Sequence, residues 1–488
     1  MEVVFDAWEA AEVELRFVRD GQTDGPRLRS GQAREGAVTW FYGRRDGETD
    51  LLTVGLGAAE EPSLETLRRA AGAAARALLR EERRSARLIG GVPGSAGPEA
   101  RLQAAAEGWR MGQYRYDASR GRTKRPGTIR LSLRLEDWPG LDEAAAMRAL
   151  MAAEIRERAV RQARDYVNEP PERLNPVSFV QRIKEQFADL PVQVTVYRGE
   201  ELVRRGMNGL LAVGAGSPHP PALVEIAYEG NSGSPLLALV GKGVTFDMGG
   251  MNVKTGRDIS DARMDMGGAA AVAGAMEILA RTRAAVRVTA LIAIADNLPG
   301  AAAMLPSSVV TYPNGLTVQV ANTDGEGRLM LADALLHAAA LGAEEAIDIA
   351  TLTGNVGQAL GLGLAGIWGD AGITRQLAAI GEENGERLWP MPLVDDYESE
   401  LKSDYADLRN VGTSVYAGAI TAALFIRKFV SPSMRWVHID MAGTVQYKRE
   451  LPYAEAGATG YGVRLLADYA AARAKERQVS PGEERPVR

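Results

Sequence analysis

From residue 236 onward the chain alternates apolar runs of strand length with apolar, alanine-rich runs of helix length. No other feature narrows its fold as far. The runs "LLALVGKG" (236–243), "VRVTALIAIA" (286–295) and "EAIDIATLTG" (345–354) are separated by "GGAAAVAGAMEILA" (267–280) and "RLMLADALLHAAALG" (328–342). The strand-like runs are apolar at consecutive rather than alternate positions, so both of their faces need cover. An α/β fold meets that need, with a mixed, at least partly parallel, sheet flanked by helices on both sides.

The first part of the chain reads differently. Strand-like "VELRFV" (13–18), "VTWFYG" (38–43) and "LLTVGLG" (51–57) precede an amphipathic helix from about Ser63 to Arg84, and "TIRLSLRL" (128–135) adds a later strand. This is a small N-terminal α/β domain, residues 1–140. A helical stretch over 141–168, rich in Ala, Glu and Arg, is halted by "NEPPERLNP" and serves as the connector. A larger C-terminal catalytic domain then spans 169–474. The charged tail 475–488, "KERQVSPGEERPVR", is expected to be disordered.

Composition removes several function classes. With no cysteine among 488 residues, thiolate metal sites, iron–sulfur clusters, disulfides and a cysteine nucleophile are all excluded. A formal net charge of −6 gives no electrostatic case for nucleic-acid binding by the whole chain, and the basic stretch "SRGRTKRPG" (119–127) reads as a solvated loop. No basic segment followed by an apolar run opens the chain, and no run of about 18 apolar residues occurs, so a cytoplasmic protein with no membrane partner is expected. "GLGLAG" (361–366) fits G-x-G-x-x-G but lacks the strand-turn-helix setting of a dinucleotide site. There is neither a G-x-x-x-x-G-K-[ST] loop nor a G-x-S-x-G elbow.

In such sheets ligands bind beyond the carboxyl ends of the strands. Three of those ends carry charge: "GKGVTFDMGGMNVKTG" offers Lys242, Asp247 and Lys254, "DARMDMGGAAAV" offers Asp265, and "ANTDGEGRLML" offers Asp324, Glu326 and Arg328. Each has an ordinary explanation alone: Asp265 as a helix N-cap, the acids between Gly325 and Gly327 as a solvated turn. Together they form a self-repelling group of four carboxylates that divalent cations would stabilise. His219, His337 and His438 fall outside these clusters, so the donors are oxygen-rich and suit manganese, magnesium or zinc.

"NTDGEGRL", with "VGKGVTFDMGG", "DMGGAAAV" and "ATLTG" in order, resembles the signatures of the leucine aminopeptidase, or cytosol aminopeptidase, family of two-metal peptidases. Lesser likenesses such as "NEPPERLNP" and "WVHIDMAG" extend the match over about residues 104–469. The resemblance implies a metal-dependent exopeptidase that releases leucine-type or other hydrophobic N-terminal residues from peptides. It implies that Lys242, Asp247, Asp265, Asp324 and Glu326 hold two divalent ions, manganese or zinc ahead of cobalt or magnesium. Asp247 and Glu326 would bridge them. Lys254 and Arg328 would be the catalytic pair, Arg328 holding bicarbonate. It further puts Ala262, Thr351, Gly354 and Ala458 at the pocket for the first side chain, and implies a cytoplasmic homohexamer. Departures are Met248 for serine, Gly325 for alanine, and Ala262 for the methionine that often lines that pocket. A non-peptidase two-metal hydrolase, such as a phosphoesterase, and an additional nucleic-acid-binding role stand as alternatives.

Overall fold

The computed structural model describes residues 3–5, 11–21, 28–43, 49–58, 61–119, 121, 127–256 and 258–479, with 475–479 described by backbone alone. Much of the basic stretch 119–127, and residues 480–488 of the expected tail, lie outside the described residues.

The chain forms two units. One comprises Met1–Arg161, Glu383–Gly385 and Tyr447–Gly457, and the other comprises the remainder. The first unit holds a six-stranded sheet of β1 (Val3–Val4), β2 (Val13–Val18), β3 (Val38–Phe41), β4 (Asp50–Gly55), β5 (Ser85–Leu88) and β6 (Arg130–Ser132), in the order β1-β6-β5-β2-β4-β3. Helix α1 (Leu64–Arg80) is started by Ser63, whose hydroxyl accepts from the Thr66 N–H at 3.1 Å. It packs on α2 (Pro98–Gly112) through small residues: a β-carbon at Gly108 would fall 1.9 Å from the Arg68 carbonyl oxygen. Helix α3 (Glu143–Asn168) follows, and the boundary between the units falls inside it.

The second unit is built on an eight-stranded sheet. Its strands are β7 (Gln193–Arg198), β8 (Ala222–Glu229), β9 (Leu237–Asp247), β10 (Arg287–Asn297), β13 (Glu345–Ala350), β14 (Ala365–Gly369), β15 (Leu388–Pro390) and β17 (Arg435–Asp440), in the order β15-β14-β17-β13-β9-β10-β8-β7. The central four, β17-β13-β9-β10, are parallel, while β8, β7 and the β14–β17 pairing are antiparallel. This is the mixed sheet expected from the apolar runs. A small separate sheet has β12 (Thr317–Gln319) at its centre, paired with β11 (Val309–Thr311) on one side and β16 (Leu408–Arg409) on the other.

Helices cover both faces. Alternate β10 residues Leu291, Ala293 and Ala295 join one core with α6 (Asn208–Gly214), α8 (Gly327–Ala340) and α11 (Gly418–Arg427). Across the sheet lie α4 (Pro176–Phe187), α7 (Gly267–Arg281) and α12 (Val463–Val479). The remaining helices are α5 (Glu200–Arg204), α9 (Gly354–Leu360) and α10 (Ala371–Asn384). Helix α12 continues past Lys475 to Val479, so the backbone is helical over the first residues of the segment expected to be a disordered tail. "GLGLAG" follows a helix and enters β14, the reverse of the order that a dinucleotide loop requires. Among the described residues no helix is long and apolar enough to cross a membrane.

Candidate active site

Parallel strands end side by side here. Asp247 at the end of β9 is paired with Asn297 at the end of β10, and Ala350 of β13 with Asp440 of β17. After β9 the chain turns back through Gly249 and Gly250, whose φ values of 88° and 62° favour glycine. The approach is close as well: a β-carbon at Gly250 would lie 2.7 Å from Asn297 Oδ1. The turn is closed by the Lys254 N–H donating to the Met248 carbonyl at 2.9 Å, which returns Lys254 toward Asp247.

Two local features free the acids for other work. Asp265 sits in a short 3₁₀ segment, Ser260–Met266, and the N-cap of α7 is Met266, so Asp265 does not cap that helix. Glu326 is the N-cap residue of α8 but makes no side-chain capping bond. Oxygen atoms of Asp247, Asp265 and Glu326 all lie within 4.8 Å of one another. Asp324 adjoins them through Lys254, whose Nζ pairs with Asp324 and stands 2.7 Å from Asp247 Oδ2. Lys242 Nζ lies 2.7 Å from both Asp265 Oδ2 and Glu326 Oε1, and donates to the Thr351 carbonyl at 3.0 Å.

The electrostatics follow from burial and crowding. Burial alone would depress the Lys242 pKa, but Asp265, Glu326 and Asp247 outweigh it and hold the amine above its ordinary range. Burial pushes Asp265 well up; Lys242 opposes the shift, and Asp247 and Glu326 add to it. Burial lowers Arg328 to about 10, against the pull of Glu326 and Asp440, which leaves it cationic at neutral pH.

The donor set fits divalent cations. It consists of clustered carboxylates, and among the described residues no histidine lines the cleft. Asp265 Oδ2, although 2.7 Å from Lys242 Nζ, is outside hydrogen-bonding alignment and keeps a lone pair to give. Arg328 fits a small oxyanion. Its Nη1 donates to the Asn410 carbonyl at 2.8 Å, while its buried Nε has no hydrogen-bond partner.

All seven expected metal and catalytic positions line one cleft of about 500 Å³, together with Ala262, Thr351 and Gly354. Thr351 also donates from Oγ1 to Asp265 Oδ1 at 2.7 Å. Ala458 is not among the lining residues; it is buried, and its N–H donates to Asn168 Oδ1 at 3.0 Å. Ala442 and Val445, which sequence reasoning missed, also line the cleft. The histidines stand apart. His438 contacts Asp348 at 2.5 Å in the core, His337 contacts Glu225 at 2.8 Å, and the His219 N–H donates to Ser217 Oγ.

Two asparagines were also missed. Asn297 Nδ2 donates to Asp247 Oδ1 at 2.9 Å and approaches Glu326 Oε2 at 3.4 Å, which orients both acids. Asn410, fully buried, accepts from the N–H groups of Ala321 and Asn322 at 2.8 and 3.3 Å. It donates to the carbonyls of Asn322 and Gly325 at 2.7 and 3.2 Å. Neither sits in a signature run. The positional signal for Asn297 was its place at the end of an apolar strand.

Comparison with known proteins agrees with this geometry. Residues 161–467 match the catalytic domain of the cytosol aminopeptidase family, and residues 30–123 match its N-terminal domain. A probable cytosol aminopeptidase of Geobacter sulfurreducens is 39% identical over 445 residues, covering 90% of this chain and 88% of its own. One from Nocardia farcinica is 39% identical over 427 residues, covering 86% and 82%. The solved structure of the bottromycin maturation enzyme BotP in complex with Mn superposes with a TM-score of 0.85 at 32% identity, covering 95% of this chain and all of that one. The chain therefore belongs to the cytosol aminopeptidase family and is a metal-dependent exopeptidase acting on peptides.

Proposed function

We propose that this exopeptidase removes leucine and other hydrophobic residues from peptide N-termini, using two divalent cations held by Lys242, Asp247, Asp265, Asp324 and Glu326. The observation that carries the reading is the group of carboxylates within 4.8 Å of one another, sharing a cleft with Lys254 and Arg328. Asp247 and Glu326 would be the pair shared between the cations, and Asn297, donating to Asp247 and approaching Glu326, would hold both in orientation. When bound, two such cations supply a nucleophilic water near neutral pH and polarise the scissile carbonyl. Lys254 donates to the oxyanion that develops on that carbonyl. Arg328, buried and cationic, binds bicarbonate with its forked donors and orients it as a proton acceptor, a need set by the commitment of the nearby acids as ligands.

Manganese is favoured by its presence in the BotP complex and by the oxygen-rich donors, with zinc next. Ala262, Thr351, Gly354, Ala442 and Val445 form the pocket for the first side chain. A cytoplasmic homohexamer is the assembly that the family resemblance implies. A phosphoesterase reading has no comparable support, and the charge of −6 gives none to nucleic-acid binding.

The test removes one bridge at a time. Asp247→Ala and Glu326→Ala should each abolish turnover of aminoacyl amides and lower the metal content, with an unchanged circular dichroism spectrum. Wild-type metal stoichiometry and turnover in both variants would refute the assignment.

A further inference from the structure

The cleft is small for a peptidase whose substrates extend beyond two residues. At about 500 Å³ it lies within the range of small-ligand pockets, so a longer peptide has to leave over the rim. Part of that rim is the segment Val411–Ala417. Val411, Gly412, Ser414 and Val415 line the same cleft as Asp265, Asp324 and Arg328.

The same segment carries the most exposed large apolar side chains among those described, Val415 at 82% and Tyr416 at 79%. Its backbone is nevertheless pinned. At the start, the Asn410 carbonyl accepts from Arg328. In the middle, Glu400 accepts from the Ser414 N–H at 2.9 Å and from the Thr413 hydroxyl, and the Tyr416 N–H donates to Ser414 Oγ at 3.0 Å. At the end, Ala417 is left-handed, at φ 56° and ψ 24°, immediately before α11. A left-handed alanine costs about 1 kcal/mol or more. A turn this well held, ending in a strained residue, presents Val415 and Tyr416 outward in a fixed place. Val415 lines the cleft, and Tyr416, next to it in the chain, is nearly as exposed.

We propose that Val415 and Tyr416 form a subsite for the part of a peptide substrate beyond its second residue, and that this subsite takes an apolar side chain. The inference rests on the exopeptidase reading of the cleft. With the N-terminal residue anchored among the carboxylates, the rest of the chain runs outward along Val411, Gly412 and Ser414. A third or fourth apolar residue then covers the aliphatic face of Val415 and the ring of Tyr416. The contact acts on binding rather than on the chemical step, so it appears in KM.

The experiment uses the metal-loaded full-length enzyme with leucine amide and a peptide series Leu-Gly-X-Gly, in which X is Gly, Ala, Leu or Phe. Wild type should favour Phe and Leu over Gly at X by about 3- to 10-fold in kcat/KM, a span suited to a half-exposed apolar contact. Tyr416→Ala should collapse that ratio toward one, mainly through KM, whereas Tyr416→Phe should retain it. The side chain is exposed, so neither change threatens folding. A wild-type series flat in X, with leucine amide still hydrolysed, would overturn the subsite alone. Failure to hydrolyse leucine amide and every Leu-Gly-X-Gly peptide with any restored metal would overturn the leucine-type reading of the cleft and the subsite argued from it. Equal losses on the amide and the peptides in Tyr416→Ala, with a smaller particle by light scattering, would make the patch a contact between copies of this chain and refute the subsite.

Discussion

Asn410→Ala should damage the metal centre although its side chain contacts no ligand carboxylate. The side chain makes four hydrogen bonds to residues 321–325, the loop that delivers Asp324 and leads directly into Glu326. Each is worth about 1 kcal/mol net, and a buried group left without a partner costs about 1–3 kcal/mol. A water entering the space would recover part of this. The expected loss of folding stability is therefore about 3–5 kcal/mol, read by urea unfolding of the metal-free protein. The loop would also lose its register, which should weaken manganese binding by about 10- to 100-fold in calorimetric titration. A displacement of about 1 Å can lower kcat by a further 10²-fold. Asn410→Asp keeps the two accepting bonds but turns an oxygen toward the Asn322 and Gly325 carbonyls, so it should rescue little. In both variants the main-chain carbonyl that receives Arg328 remains, and any bicarbonate response should survive. Stability within 0.5 kcal/mol of wild type, together with unchanged metal affinity and kcat, would refute the reasoning.

Lys254→Ala should retain both metals and lose about 10²-fold or more in kcat, measured beside metal analysis; an effect confined to KM would contradict an oxyanion role. Activity in carbonate-free buffer should rise on adding bicarbonate, and Arg328→Ala should abolish the response, with Arg328→Lys restoring little because a point charge cannot grip a planar anion at two points. Ala262→Met should move kcat/KM from bulky toward small N-terminal residues by about 1–3 kcal/mol across Ala, Leu, Met and Phe amides, and an unchanged ranking would place Ala262 outside the pocket. Glu398 is held below the usual carboxylate range by hydrogen bonds from Lys428 and Arg427, partly opposed by burial. Its stabilising contribution is thus complete above the ordinary carboxylate pKa and lost as pH falls through the lowered one. Glu398→Gln should cost under about 1 kcal/mol at pH 7, for a partly exposed pair, and the difference from wild type should vanish in acid unfolding curves.

The catalytic half was legible because its strands are buried on both faces, so their apolar runs stood out and their ends announced charged residues. Asp247 was found that way, at the end of β9, whereas Asp265 and Glu326 were singled out as acids just before the alanine-rich helices α7 and α8; the structure brings the three together. Short edge and accessory strands such as β11, β12 and β16 carry no periodicity long enough to read, yet β16 leads into Asn410 and the rim loop. Asparagines acting through amide geometry leave no charge signature, and for that reason Asn297 and Asn410 escaped notice. Ala458 illustrates a different limit. It does not line the cleft, whereas Ala442 and Val445, which follow Asp440 at the end of β17, do. That placement depends on how the chain returns after a strand, a property of packing and not of local pattern.

Lys242 gives the site a memory of its own charge. Only 2% exposed and held between Asp265 and Glu326, its ammonium stands where a cation is wanted and balances carboxylates that would otherwise repel. With Lys242 as the proposed metal ligand, loading would exchange one cation for another, the amine giving up its proton to solvent. Uptake should be steeper in pH than a carboxylate-only site would allow, releasing measurable acid into a weak buffer. Chelation should reverse the exchange and return the proton to the amine between Asp265 and Glu326.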